Sequence, residues 1–116
     1  MCIFCQIANK EILKTLAYED SEIMAFEDIH PIAPVHMLII PKRHIGSVNK
    51  LEKEDRELAG NLILVAKGLA KKLKISQDGY KLLFRTGKHG GQEVEHLHLH
   101  LIGGAQLYED IHPINS

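Results

Sequence analysis

The segment His96-Leu97-His98-Leu99-His100-Leu101 decides how this chain reads. Strict alternation is the period of a β-strand, whose successive side chains point to opposite faces, so three imidazoles share one face and three leucines the other. The leucine face belongs to a core. A lone histidine beside a core is ordinarily a satisfied structural residue, but three in register leave several polar rings in need of partners at once. One metal ion held by all three does not suit the strand pitch: the first and third Cα atoms lie roughly 13 Å apart at about 3.3 Å per residue, whereas zinc takes nitrogen at about 2.0 to 2.1 Å. A row of imidazoles suits an extended anion, such as a phosphate with its leaving group, because each ring can donate or accept a proton near neutral pH.

Working outward, residues 94–102 read as a strand ended by Gly103-Gly104 and preceded by a flexible loop over 87–91. Residues 80–85 read as the strand before it, after the turn Gln77-Asp78-Gly79. Over 53–73 the period changes: Leu58, Leu62, Val65, Leu69 and Leu73 fall at steps of four, three, four and four, one stripe of a helix. Acidic residues crowd its start (Glu54, Asp55, Glu57) and lysines its end (Lys67, Lys71, Lys72, Lys74), the order that complements the helix dipole. Further upstream, 16–19, 23–27 and 36–41 read as an antiparallel meander after a short N-terminal turn or helix. The expected architecture is α+β, a five-stranded antiparallel sheet with one long helix packed on it, in a single domain over 1–116.

The 116 residues are 45% hydrophobic and 25% charged with a formal charge of -1, so no bulk attraction to nucleic acid or membrane is expected and any anion site must be local. The N-terminus lacks the basic and long apolar segments of a secretory signal, and no apolar run approaches the roughly 20 residues of a membrane helix. A cytoplasmic location is expected. The two cysteines, Cys2 and Cys5, would close too small a loop as a disulfide to constrain the chain, and suit reduced thiols or metal ligands.

The stretch Gly90-Gly91-Gln92-Glu93-Val94-Glu95-His96-Leu97-His98-Leu99-His100-Leu101-Ile102-Gly103-Gly104 resembles the signature of the histidine triad family with both flanks. The likeness extends to Ile3-Phe4-Cys5 with Ile7, Tyr18-Glu19-Asp20, Ala25-Phe26-Glu27-Asp28-Ile29 and 36–45, which covers nearly the whole chain. Gly103-Gly104 after the triad is similar to the nucleoside-phosphoramidase branch, whereas the dinucleoside-polyphosphate hydrolases usually carry Pro-Arg there.

The resemblance implies a hydrolase or transferase that cleaves nucleoside 5′-phosphoramidates or aminoacyl-nucleotides, AMP or GMP conjugates, through a nucleotidyl-histidine intermediate and without a catalytic cofactor. It implies His98 as nucleophile, the main-chain carbonyl of His96 as its orienting acceptor, and His100 and His36 as phosphate-binding and proton-handling partners. Asp28 with Ile29 would meet the ribose, and Phe4, Ile7, Ile12 and Phe26 the base. Gly91, Gln92, Glu93 and Val94 would lie along the phosphate. A structural zinc would sit on Cys2, Cys5, His44 and His96, and two copies would pair through their sheets as a homodimer. Two residues depart from the family's pattern: Arg85 stands where asparagine is usual, and Glu93 where serine or threonine is usual. His30, His89 and His112 read as solvent or turn residues, with His89 the most open to a site role. The alternatives are a dinucleoside polyphosphate hydrolase and a non-catalytic nucleotide- or zinc-binding regulatory module.

Overall fold

Strand-period alternation in the first 41 residues produces three short antiparallel strands, β1 (Leu16–Glu19), β2 (Ile23–Glu27) and β3 (Val35–Pro41). The β1–β2 turn is closed by Asp20, whose Oδ1 accepts from the main-chain N–H of Glu22 (2.7 Å) and Ile23 (2.8 Å). In this computed structural model, which describes residues 2–114, β4 (Tyr80–Phe84) and β5 (Leu99–Gly103) complete one antiparallel sheet. Its order is β1-β2-β3-β5-β4, so the histidine strand β5 lies inside the sheet between β3 and the edge strand β4.

The sheet has a core on each side. Ile23, Ala25, Ile39, Leu97, Leu99 and Leu101 face the long helix α2 (Arg56–Lys72), meeting Leu58, Leu62, Ala66, Leu69 and Ala70. Met24, Phe26, Leu38 and Ile40 point the other way and meet Phe4 and Ile7 of α1 (Ile3–Ala8). Burying each large apolar side chain stabilises the fold by about 1.5 to 3 kcal/mol. The histidines share this second side, where α1 is too short to cover the sheet and a cleft stays open.

Three sequence expectations need correction. The fifth strand begins at Leu99, not at residue 94, because the preceding backbone is engaged elsewhere. His96 N–H donates to Val94 O (2.9 Å), Leu97 N–H to Ile45 O (2.6 Å), and His96 O receives a side-chain bond. The expected helix starts as a 3₁₀ turn over Lys53–Asp55 and turns α only at Arg56, with Asp55 accepting from Glu52 N–H (2.8 Å) and pairing with Arg43. Its buried stripe uses Ala66 and Ala70, small residues that the leucine count passed over, while Val65 and Leu73 are half-buried. Among the described residues no helix is long and apolar enough to cross a membrane.

Candidate active site

Antiparallel pairing sets Leu38 opposite His100 and His36 opposite Ile102, which brings His36 and His100 diagonally together on one face. Both rings are buried, with His36 Nε2 2.9 Å from His100 Nδ1. The direction of that bond follows from its neighbours. Ile32 N–H donates to His36 Nδ1 (3.2 Å), so the proton of neutral His36 sits on Nε2 and is donated to His100 Nδ1. His100 then carries its own proton on Nε2, a buried atom with no hydrogen-bond partner among the described residues. The pair leaves one N–H donor without a partner among the described residues.

His98 has the opposite polarity. Its Nδ1 lies 2.6 Å from the main-chain carbonyl of His96, which can only accept, so Nδ1 is protonated and Nε2 keeps a lone pair. Ring contacts to Phe4 (centroids 5.1 Å) and His100 (5.0 Å) hold it. Burial pushes the pKa of His98, His36 and His100 below the usual imidazole value, which keeps the rings neutral. His100 falls furthest, to about 4, with the neighbouring His98, His36 and Arg85 adding to the effect of burial.

These rings line a cleft of about 740 Å³, within the usual range for small-molecule sites. Its apolar part holds Phe4, Ile7, Ile12, Phe26, Ile29 and Leu38, and its polar end His36, His98, His100, Asp28, Arg85, Gly91 and Glu93. Asp28 Oδ1 accepts from His30 N–H (2.9 Å) and its Oδ2 lies 3.4 Å from His36 Nε2. Gly91 has a φ of 77°, a left-handed conformation that favours glycine, and Gly90 is packed so closely that a Cβ there would lie 2.3 Å from Thr86 O. A smaller groove of about 460 Å³ between β1 and α2 carries no histidine.

Behind the cleft, Cys2 Sγ, Cys5 Sγ, His44 Nδ1 and His96 Nδ1 cluster with mutual distances of 3.2 to 3.7 Å. Zinc–sulfur and zinc–nitrogen bonds of usual length span tetrahedral edges of about 3.3 to 3.8 Å, so this donor set fits a tetrahedral ion. The ring of His96 is fully buried and its Nε2 donates to Pro41 O (2.8 Å), which leaves Nδ1 as the free donor atom, the arrangement metal-bound histidines favour. Burial raises the pKa of Cys5.

Residues 1–109 match the family described as "Scavenger mRNA decapping enzyme C-term binding". A Legionella pneumophila structure described as a HIT family hydrolase superposes with a TM-score of 0.91 at 49% identity, covering 93% of this chain and 96% of that one. The chain belongs to the histidine triad family. Its histidine triad relatives include "Purine nucleoside phosphoramidase" of Escherichia coli K12, 45% identical over 105 residues (90% of this chain, 88% of that protein). Protein HitA of Neisseria gonorrhoeae is 48% identical over 102 residues (88% and 94%).

Against this histidine triad frame, most residues expected at the site do gather at the cleft: His36, His98, His100, Asp28, Ile29, Phe4, Ile7, Ile12, Phe26, Gly91, Glu93 and Val94 all line it. Two do not. The side chain of Gln92 turns away and braces the loop, accepting from Gly87 N–H (2.9 Å) and donating to Gly46 O (2.8 Å) and Val94 O (2.9 Å). The ring of His96 joins the cysteines, so the imidazole row is two cleft rings and one cluster ring. His30, expected in solvent, lines the cleft because Asp28 pins its backbone, as do Ile3, Leu13, Lys14, Ile32 and Leu38, which carry no sequence signal beyond their apolar or basic type. His89 and His112 are exposed, and neither lines the cleft.

Proposed function

We propose that this protein cleaves the P–N bond of purine nucleoside 5′-phosphoramidates or aminoacyl-nucleotides through a nucleotidyl-His98 intermediate. It is a hydrolase of the histidine triad family, and its substrate is a small nucleotide. The observation that carries the finer reading is the paired polarity of two rings in one cleft: a lone pair on His98 Nε2 beside a donor on His100 Nε2. Attack forms a bond from His98 Nε2 to phosphorus while the P–N electron pair leaves with the amine, which takes a proton from the His100–His36 pair. The positive charge on the phosphorylated His98 ring is stabilised by the His96 carbonyl at its Nδ1–H. Water then attacks phosphorus and its proton returns to the His100–His36 pair as the bond from phosphorus to His98 Nε2 breaks, which releases the 5′-monophosphate and restores all three neutral rings.

The apolar part of the cleft suits a purine, with the Phe4 and Phe26 rings edge-on at 5.6 Å. Asp28 suits the ribose hydroxyls, and the glycine loop brings main chain close to phosphate. Cys2, Cys5, His44 and His96 would hold a structural zinc. Four protein ligands leave no position for substrate water, so the ion would tie segments together and not take part in the chemistry. Reduced thiols of this kind suit a cytoplasmic setting.

The test is a single turnover with phosphorus-labelled adenosine 5′-phosphoramidate. Acid-labile label on wild-type protein, absent from His98→Ala with turnover reduced about 10⁴-fold or more, is the expected result. Label persisting on His98→Ala would reject the mechanism. Preferential cleavage of diadenosine polyphosphate would transfer the site to that substrate class, and AMP binding without any turnover would make the protein a binding module.

A further inference from the structure

The cysteine and histidine cluster joins three segments distant in sequence: the N-terminus of α1, the loop after β3 and the lead-in to β5. Three of its residues also connect to the cleft by routes unrelated to a metal. His96 offers its carbonyl to His98 Nδ1. Cys2 and Cys5 bracket Phe4, whose ring packs on Phe26, His96 and His98 at centroid distances of 5.6, 5.9 and 5.1 Å. α1 has six residues, about half the length at which a helix becomes even marginally stable alone. Its first turn is closed by Cys2 Sγ accepting from Cys5 N–H (3.2 Å).

We infer that a metal ion on this cluster assembles the nucleotide site: it fixes α1, and with it the Phe4 and Ile7 wall of the base slot, and holds the His96 backbone that orients His98. Cys2, Cys5 and His44 are thus positioning residues for nucleotide binding. The larger core beneath α2 shares no residue with the cluster, so loss of the ion loosens the α1 side while the sheet and α2 persist. This inference rests on the base-slot reading above. It predicts that metal occupancy is read out as nucleotide affinity, before any chemistry.

The experiment compares zinc-loaded full-length protein with the same protein after chelation and dialysis. Calorimetry gives the affinity for AMP, and amide hydrogen exchange gives the protection of α1 and α2. If α1 is correctly seated in about a tenth of metal-free molecules, the AMP Kd rises about tenfold. Exchange at Cys5 and Gln6 quickens while α2 is unchanged, and His44→Ala in the presence of zinc reproduces the metal-free values. An AMP Kd and α1 exchange within twofold of each other in the two states would overturn the inference. So would equal loss of protection in α2, which would make the metal a support of the whole fold. Failure of zinc-loaded protein to bind AMP at all would instead bring down the base-slot reading.

Discussion

His100 carries a consequence for acid stability. Its pKa lies near 4 in the fold and near 6.5 in the unfolded chain, lowered by burial and by His98, His36 and Arg85, with Asp28 opposing. Between those values the unfolded state binds more protons, so the stabilising contribution is full above about pH 6.5 and lost as pH falls toward 4. The urea midpoint is therefore expected to drop from pH 7 to pH 5, and His100→Asn to shrink that drop; identical midpoints for wild type would contradict the assignment. Arg85 is the second residue with a defined consequence. Its guanidinium lowers the pKa of His36, His98 and His100 without pairing to a carboxylate among the described residues. A substrate phosphate would meet that charge. Arg85→Asn is expected to raise KM for adenosine phosphoramidate roughly ten- to a hundredfold, the worth of one charge-assisted hydrogen bond, with a smaller change in kcat. An unchanged KM would show that the side chain points out of the reaction path.

At the scale of elements, the loop between β4 and β5 is the part least tolerant of change. Gly90 is walled by the Thr86 backbone, with O at 2.3 Å and N at 2.7 Å from the position a Cβ would take, and backbone cannot swing aside as a side-chain tip can. Gly90→Ala must displace the loop that carries Gly91, Glu93 and Val94 into the cleft. The helix α2 lies elsewhere. Nucleotide binding is expected to weaken about tenfold or more, since misplacement of a positioning segment by about 1 Å is enough for such losses, while the thermal midpoint changes little. A variant with normal AMP affinity would show that the loop adapts. Gln92, braced by three hydrogen bonds, is the strut that makes this loop rigid.

For the whole molecule, the sheet order exposes two edges, β1 and β4. β1 has four residues, a register shift between Leu16 and Tyr18, and charges paired across Glu19 from Lys10 and Lys42, all features that blunt an edge. β4 pairs with β5 through five consecutive residues without a shift, and its side chains are half-buried. A homodimer joined through β4 is therefore expected, with a mass by light scattering of twice 13.1 kDa. A monomer at micromolar concentration would defeat that expectation. The tail reaches the same edge, since Lys81 of β4 pairs with Glu109, and it presents Tyr108 and Ile111 to solvent.

The local periods of the chain determined the elements and the sides on which they bury: alternation around His98 separated leucines from imidazoles, and the stripe from Leu58 to Leu69 marked α2. Those signals are local, because side-chain direction follows from spacing along the backbone alone. Tertiary structure decided what each histidine meets. His96, His98 and His100 have the same spacing, yet one ring faces thiols, one keeps a lone pair and one keeps a donor. The roles of His96 and His100 depend on partners distant in sequence (Cys2, Pro41 and His36), and that of His98 on a lead-in that stays out of the ladder until β5 begins at Leu99. A hydrogen bond's direction is set by the whole chain of donors and acceptors around it, and only the fold brings that chain together.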